Sequence, residues 1–393
     1  MPALGSLLDH LECRACCTVV DASAPIGPCP TCGQALFATY SLDRINGKAW
    51  WASLQDRPND LWRYRELLPV RDPANVVSLG EGGSPIVPLG SVPETPDVEV
   101  AVKDDGGLPT GSFKARGMAV AVSKAQELGL RELYVPSAGN AGVALAAYGA
   151  RAGACVRIYL PEATPASALA ACALYGAEVI RVPGTIREAG EEARRREAGR
   201  ASFDMSTMRE PYRVEGKKTM GFEIVEHSGT GGLPDAIVYP AGGGTGLVGM
   251  EKAFRELREL GLLDRVPRLY AVQSAGCAPL VRALQDDANV VTPWTDPHTI
   301  APGLLVPAPF ASARVLEAVR ATRGAGVTVT DREIVDAMRA LGRRHGVSAS
   351  PEGAAPYAAL PKLLRGGRVR PGERVLLYNT GSGLPFSVDD LAV

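Results

Sequence analysis

Four short glycine-containing segments of the 393-residue sequence carry side chains that could take part in chemistry. The first, PTGSFKARG at residues 109–117, places Lys114 at the start of an apolar helical pattern, with Ser112 in position to cap that helix. A lysine in the first helical turn meets the positive end of the helix dipole, and burial also disfavours its charged form. Both effects favour the neutral amine that Schiff-base formation requires. For this position taken alone, an ordinary surface lysine is the alternative.

The second segment, SAGNAG at residues 137–142, follows an apolar run and precedes a helical pattern. Its Asn140 carries an amide that could donate to a ligand oxygen, and the neighbouring Gly139 and Gly142 would let a substrate carboxylate reach backbone N–H groups. Asparagine also tolerates left-handed backbone geometry, so a purely conformational role for Asn140 stays open.

The third segment, AGGGTG at residues 241–246, joins a predicted strand to a predicted helix. Its glycines and the helix N-terminus form an anion cradle suited to a small phosphate, consisting of Gly242, Gly243, Gly244, Thr245 and Gly246. The pattern GTGLVG also fits a dinucleotide fingerprint, but the next strand, RLYAVQ, ends without the acidic residue that would hold a ribose. A tight turn with a structural role only is the remaining alternative.

The fourth segment, NTGSG at residues 379–383, follows the last apolar strand and supplies the hydroxyl of Thr380. The four segments together suggest one cofactor, pyridoxal 5'-phosphate. Its aldehyde suits Lys114, and its phosphate suits the glycines of the third segment. Its phenolic oxygen suits the amide of Asn140, and its ring nitrogen suits the hydroxyl of Thr380.

A separate cysteine pattern occupies the first 32 residues. CRAC and CPTC place Cys13, Cys16, Cys29 and Cys32 as two C-x2-C pairs joined by a short connection. Tetrahedral zinc needs four such thiolates, so the pattern predicts a structural zinc site of the zinc-ribbon type. A thioredoxin-like redox pair is the rival interpretation of either half, but neither half follows a strand inside a βαβ unit.

The elements that must position these segments alternate along the chain. Strands are predicted at 132–136, 155–160 and 178–182, with helices between them and glycines at the helix ends. This alternation indicates an α/β protein whose parallel sheets are covered by helices. The loops at 137–142, 242–246 and 379–383 then all follow the carboxyl ends of strands, where such sheets bind ligands.

Composition limits the class of protein. Hydrophobic residues make up 46% of the sequence and charged residues 22%, with 42 basic against 43 acidic side chains. This balance gives no reason to expect a nucleic-acid partner or an acidic membrane surface. No apolar run has the length of a membrane helix, and the N-terminus lacks the features of a signal peptide, so we expect a cytoplasmic protein.

The four segments, in this order, resemble the fold-type II pyridoxal-phosphate enzymes, also called the tryptophan synthase β family. TGSFKARG is similar to the lysine motif of that family, SAGNAG to its asparagine loop, AGGGTG to its phosphate loop and NTGSG to the loop at the pyridine nitrogen. Within the family, LGEGGSPIVPL, REPYRVEGKKTMGFEI and the cysteine pattern resemble threonine synthases.

The resemblance implies two domains and an additional N-terminal module. We expect a zinc-ribbon-like module at 1–45, a large cofactor-binding domain from 46–110 and 215–393, and a small substrate-side domain at 111–214. It also implies a homodimer.

The resemblance further assigns roles to residues. Lys114 would be the Schiff-base lysine, Asn140 would meet the phenolic oxygen, Gly242 to Gly246 the cofactor phosphate, and Thr380 the ring nitrogen. The residues expected to bind the substrate are Ser137, Gly139, Arg213 and Lys217. For Arg213, whose guanidinium suits a substrate phosphate, a surface charge at a helix start is the alternative reading.

The activity implied is that of a threonine synthase-like lyase, which forms threonine and phosphate from O-phosphohomoserine by γ-elimination and β-addition of water. The sequence departs from the family at Ala115, where an acid is usual, and at Ala138 and Ala141, where threonines are usual. One alternative is therefore β-elimination or β-replacement on threonine, serine or O-phosphoserine, as in dehydratases and cysteate or cysteine synthases. A more distant alternative is a non-catalytic protein that interacts through its zinc ribbon.

Overall fold

The computed structural model describes residues 5–90, 92–137, 139–228 and 232–386. Ala138, next to Gly139, thus lies outside the described residues. The chain packs as two units. The first contains the described residues up to Gly83, Lys114–Thr219 and Glu259–Leu262, and the second contains Ser84–Phe113, Met220–Arg258 and the described residues from Leu263 onward.

In chain order the described strands are β1 (Leu8–Cys13), β2 (Val19–Asp21), β3 (Leu36–Tyr40), β4 (Ile86–Gly90), β5 (Glu99–Asp104), β6 (Glu132–Pro136), β7 (Cys155–Pro161), β8 (Glu178–Val182), β9 (Ser202–Asp204), β10 (Ala236–Pro240), β11 (Arg268–Ser274), β12 (Gly326–Val329) and β13 (Arg374–Asn379). The α-helices are α1 (Gly47–Ser53), α2 (Lys114–Glu127), α3 (Asn140–Ala152), α4 (Ala166–Leu174), α5 (Ile186–Glu197), α6 (Arg213–His227), α7 (Thr245–Glu259), α8 (Pro279–Gln285), α9 (Ser312–Ala321), α10 (Asp331–His345) and α11 (Pro351–Arg365).

The first unit contains two sheets. A small antiparallel sheet in the order β2–β1–β3 carries the cysteine pattern, and Cys13 pairs with Leu36 in its register. A four-stranded parallel sheet has the order β8–β7–β6–β9. The apolar side chains of α2 that the helical pattern turns inward are buried, with Met118, Val122 and Ala125 at most 2% exposed.

The second unit is built on a six-stranded sheet in the order β12–β11–β10–β13–β5–β4. Its strands are parallel except β4, which pairs with β5 in the antiparallel direction. Buried side chains of the strands and of α10 and α11 form one hydrophobic core, in which Val238, Val272 and Leu360 are fully buried. Central parallel strands are covered on both faces, which explains their continuous apolar sequences.

The predicted fold class is confirmed, and so are the strands around the asparagine loop, which form β6, β7 and β8. Helix α3 ends where Gly153 adopts a left-handed conformation with φ of 63°, as the sequence predicts for a glycine stop. In the part of the chain that the structure describes, no helix combines the length and the apolar composition needed to cross a membrane.

Two details differ from the sequence expectations. Helix α2 begins at Lys114, and the Ser112 hydroxyl, expected to cap it, is buried without a hydrogen-bond partner among the described residues. Ser112 has extended backbone angles and its own backbone bridges to Gly381, which explains why its side chain does not cap the helix. Residues 46–83, expected with the cofactor-binding domain, pack in the first unit instead.

Candidate active site

The segment before Lys114 is fixed to the loop that follows β13. Phe113 donates its N–H to the carbonyl of Thr380 at 3.0 Å, and Ser382 donates its N–H to the carbonyl of Gly111 at 2.8 Å. Lys114, the next residue after Phe113, is half-buried at the first position of α2. The hydroxyl-bearing Thr380 and the predicted lysine are therefore linked through one residue of the chain.

A strained turn leads into this segment. Thr110 has φ of 61° and Gly111 has φ of 68°, so two consecutive residues adopt the left-handed conformation. This conformation is unfavourable for a residue with a Cβ atom, and such residues cluster at functional sites. The turn reverses the chain directly before the residues that pair with the 380–382 loop.

The asparagine loop is shaped by the buried hydroxyl of Ser137. Its oxygen accepts the N–H of Gly142 at 2.9 Å and the N–H of Gly139 at 3.2 Å. These N–H groups are thus engaged inside the loop, whereas Asn140 is exposed at the first residue of α3. Ser137 positions the loop, and Asn140 keeps the exposure that its predicted role requires.

The glycine loop between β10 and α7 is packed too closely for side chains. A Cβ at Gly242 would lie 2.0 Å from the carbonyl oxygen of Gly303, and one at Gly246 would lie 2.2 Å from the ring of Tyr239. Gly244 has φ of 73°, and a Cβ there would lie 2.5 Å from Val315. The first N–H groups of α7 have no partner within their own helix, so this bare backbone fits a phosphate group.

The loop after β13 is held by hydrogen bonds of the Asn379 side chain and the Ser350 backbone. Asn379 donates its amide to Asp104 at 2.8 Å and accepts the N–H of Gly381 at 3.3 Å. Ser350 donates its N–H to the carbonyl of Gly381 at 2.9 Å. Thr380 lies between these anchors and is buried, so it presents a neutral hydroxyl at a fixed place.

Helices α2 and α6 cross at two glycines within the first unit. A Cβ at Gly216 would lie 2.0 Å from the carbonyl oxygen of Arg116, and one at Gly117 would lie 3.3 Å from the ammonium nitrogen of Lys217. Lys217 is 1% exposed. Gly117 lies one helical turn after Lys114, so this crossing brings the Lys217 ammonium against the first turn of α2.

Arg213 is the first residue of α6 and is only 2% exposed. Its guanidinium Nη1 donates to the carbonyl of Met205 at 2.6 Å, and burial lowers its pKa. The carboxylate of Glu210 accepts the N–H groups of Tyr212 at 2.8 Å and of Arg213 at 3.0 Å. Burial raises the pKa of Glu210 to about 7, against the opposing effect of the Arg213 charge.

Two residues of this region are not identified as functional candidates by the sequence pattern. Glu210 was not singled out, although an acidic residue just before a helix is a known favourable position. Tyr239 was also missed, because its contact with Gly246 joins the end of a strand to the start of the next helix. No short sequence motif reports such a contact.

The four predicted zinc ligands are brought together. The Sγ atoms of Cys13, Cys16, Cys29 and Cys32 all lie within 4.8 Å of one another. Cys13 and Cys32 are 3.4 Å apart, and Cys16 and Cys29 are 3.6 Å apart. Four thiolates at 2.3 Å from a tetrahedral zinc ion would be separated by about 3.8 Å, so the cluster fits this metal closely.

The family model for Pyridoxal-phosphate dependent enzymes matches residues 77–381. Among curated proteins, the threonine synthase of Methanocaldococcus jannaschii is 34% identical over 95% of this chain and 92% of its own length. The threonine synthase of Methanosarcina acetivorans is 35% identical over 95% of this chain and 91% of its own length. That of Halalkalibacterium halodurans is 35% identical over 82% of this chain and 88% of its own.

Solved structures with the same fold agree with the family match. A T.th. threonine deaminase superimposes with a TM-score of 0.62 at 26% identity, over 74% of this chain and 89% of that chain. A serine racemase from maize superimposes with a TM-score of 0.65 over 78% of this chain and 90% of that chain. At 20% identity, the latter supports the fold alone.

Proposed function

Because the chain belongs to the pyridoxal-phosphate dependent enzymes, we propose that it is a threonine synthase-like lyase that converts O-phosphohomoserine and water into threonine and phosphate. The observation that carries this proposal is the 34% identity to a threonine synthase over 95% of this chain and 92% of the relative. The family match at residues 77–381 contains all four glycine-containing segments.

The residues that would hold the cofactor lie in four places of the chain. The bare backbone of Gly242 to Gly246 suits its phosphate, and the exposed amide of Asn140 suits its phenolic oxygen. The hydroxyl of Thr380 suits its ring nitrogen, and the amine of Lys114 suits its aldehyde. When bound, pyridoxal phosphate withdraws electrons from the bonds at the substrate Cα and so makes the Cα proton removable.

Lys114 would hold and move the proton at the substrate Cα, and then the proton at Cβ, because it supplies an amine at the start of α2. Thr380 supplies a neutral hydroxyl, which stabilises a protonated ring nitrogen less than a carboxylate would. This restrains charge delocalisation into the ring and suits elimination chemistry.

Lys217 is the better placed of the two residues expected to bind the substrate phosphate. Its ammonium lies beside Gly117 on the helix that Lys114 begins, within one helical turn of that lysine. We therefore propose that Lys217 binds the phosphate group of the substrate, while Arg213 stabilises the turn before α6. Loss of Lys217 should raise the KM for a phosphorylated substrate more than it lowers kcat.

A substrate panel tests the proposed reaction. The purified enzyme with pyridoxal phosphate is given O-phosphohomoserine, O-phosphoserine, threonine or serine, and release of phosphate and formation of threonine and keto acid are measured. We expect threonine and phosphate in equal amounts from O-phosphohomoserine. Keto acid from threonine or serine, without threonine formation from any substrate, would contradict the proposal.

The burial of Arg213 favours a second candidate, β-elimination from threonine or serine. A dehydratase needs no pocket for a substrate phosphate, and the Arg213 guanidinium is buried with its Nη1 donating to the Met205 carbonyl. The same panel separates the two reactions. With a dehydratase, replacing Lys217 by Ala would leave the KM for threonine nearly unchanged.

We also propose that the cysteine cluster holds one structural zinc ion, supported by the sulfur spacing and by the free state of all four thiols. All four positions are protein ligands, so no coordination position is left for catalysis. Elemental analysis of the purified protein should give about one zinc per chain, and a Cys29→Ser, Cys32→Ser double variant should give almost none.

We further propose a homodimer, which rests on the family resemblance, and a cytoplasmic location, which rests on the apolar pattern of the sequence. Light scattering coupled to size-exclusion chromatography measures the first. A mass corresponding to one chain would contradict it.

A further inference from the structure

Glu352 is buried at the start of α11, and only one of its carboxylate oxygens is used. Oε1 accepts the N–H of Gly303 at 2.6 Å. Oε2 is buried and has no hydrogen-bond partner among the described residues. The side chain is 8% exposed, so the carboxylate is largely shielded from water and depends on its protein partner.

Gly303 belongs to the segment 299–303, which packs against the phosphate loop at 242–246 and forms its wall. A Cβ added to Gly242 would lie 2.0 Å from the carbonyl oxygen of Gly303, and a Cβ added to Gly303 would lie 2.9 Å from the Glu352 side chain. The other end of this wall is also fixed, because Thr299 donates its hydroxyl to Asp331 at 2.6 Å and Ile300 donates its N–H to the same carboxylate at 3.1 Å.

The start of α11 also supports the loop that carries Thr380. Ser350 caps α11 by accepting the N–H of Gly353, and its own N–H donates to the carbonyl of Gly381. A Cβ at Gly353 would lie 1.8 Å from the side-chain oxygen of Asn379. The same helical turn therefore contacts the loop at 379–382 and, through Glu352, the wall of the phosphate loop.

We propose that Glu352 is a positioning residue for cofactor binding, which holds the phosphate loop in place by its hydrogen bond to Gly303. The inference rests on the proposed function, since it takes residues 242–246 and Thr380 as contacts of pyridoxal phosphate. A glycine loop has no side chains to fix itself, so its shape depends on the walls around it. A buried carboxylate accepting an N–H makes a strong bond, and its loss leaves that N–H without a partner.

Three variants of the full-length enzyme test this role. Glu352→Ala removes the acceptor, Glu352→Gln keeps an oxygen acceptor of the same length, and Glu259→Ala changes an exposed acid at the far end of α7. For each we would measure the dissociation constant of pyridoxal phosphate by equilibrium dialysis and the phosphorus NMR shift of the bound cofactor.

We expect Glu352→Ala to raise the dissociation constant about tenfold, the size expected for one lost buried hydrogen bond, and to move the phosphorus signal. Glu352→Gln should stay within about threefold of the wild type, and Glu259→Ala should match it. If Glu352→Ala does not fold, Glu352→Asp, whose acceptor is one methylene too short, should show the same weakening.

An unchanged dissociation constant and phosphorus shift in Glu352→Ala or Glu352→Asp would overturn the proposal. So would a Glu352→Gln variant as impaired as Glu352→Ala, since that result would make the charge rather than the hydrogen bond essential. Failure of the proposed reaction would appear in the substrate panel and leave cofactor binding by the wild type unchanged, whereas a wild type that binds no pyridoxal phosphate would contradict the cofactor assignment itself.

Discussion

At the scale of single residues, the proposed chemistry depends on Lys114. Its amine starts α2, one residue after the Phe113–Thr380 hydrogen bond. Its identification came from four segments read together, since a lysine at a helix start is common on protein surfaces. The structure adds the link to Thr380 and the neighbouring Lys217, neither of which a local motif contains.

Replacing Lys114 with Ala tests its covalent role. Borohydride reduction of the wild type loaded with pyridoxal phosphate should fix the cofactor on the peptide that contains Lys114, as identified by mass spectrometry. The Lys114→Ala variant should retain no cofactor after reduction and lose almost all activity, because the amine that would bond with the aldehyde is gone. Lys48→Ala, at an exposed residue of α1, is the control and should behave as the wild type. Cofactor fixed on a different lysine would contradict the assignment.

Glu210 gives a prediction about pH. Burial raises its pKa to about 7, above the ordinary value of 4.5, although Arg213 and two N–H groups act in the opposite direction. Between these two values the folded protein keeps a proton that the unfolded chain has released, so the free energy of unfolding should fall as pH rises from 4.5 to 7.

Glu210→Gln should remove this contribution, because an amide does not titrate. Urea denaturation of wild type and variant at several pH values measures the effect, and the difference between them should shrink or reverse towards pH 7. A constant difference across the range would show that Glu210 does not carry the proton. Asp204 also lies near this group and stays unchanged in both proteins.

At the scale of elements, the crossing of α2 and α6 depends on the absence of a side chain at Gly216. An added Cβ would lie 2.0 Å from the Arg116 carbonyl oxygen, so Gly216→Ala forces the helices apart. We expect a loss of at least about 2 kcal/mol in the free energy of unfolding, together with lower activity, since α2 carries Lys114.

The matched substitution is Gly342→Ala in α10, where an added Cβ meets no atom within 4 Å. There alanine should stabilise the protein by about 1 kcal/mol, because it has the higher helix propensity. Urea unfolding of both variants gives the comparison. Equal effects at the two positions would refute the steric explanation for Gly216.

The elements themselves were largely predictable because local patterns specify them. Alternating apolar runs and glycine stops gave β6, α3, β7, α4 and β8 close to their observed bounds. The burial of Arg213 was not predictable in the same way, because a polar residue at a helix start is usually exposed and its partner, the Met205 carbonyl, is a backbone group. Every residue has a backbone carbonyl, so the amino-acid sequence does not indicate which one a side chain will contact.

At the scale of the whole molecule, the two C-x2-C pairs lie on the small sheet of β1, β2 and β3 and its connections, with Cys13 at the end of β1 and the other three cysteines between the strands. Small modules of this kind gain much of their stability from a bound metal. Chelation of the proposed zinc ion should therefore lower the melting temperature and expose the four thiols to a thiol reagent. Unchanged thiol reactivity after chelation would speak against the metal.

The packing of residues 46–83 shows where whole-molecule prediction fails. These residues precede the first strand of the large sheet in sequence, yet they belong to the unit that contains α2 and α3. Tyr148 of α3 donates its hydroxyl to Glu81 at 2.6 Å, and Trp62 donates to the same carboxylate at 2.9 Å. Such long-range partners are set by the tertiary fold, and spacing along the chain does not indicate them.

The position of β13 has a consequence for how the protein is made. This strand is the last of the described strands, yet it lies between β10 and β5 in the middle of the six-stranded sheet. During synthesis, β5 therefore cannot pair with β13, its neighbour towards the centre of the sheet, until residues 374–379 have left the ribosome. A premature stop codon shortly before Arg374 would remove β13 and divide the sheet, so we expect its product to be degraded by cellular proteases.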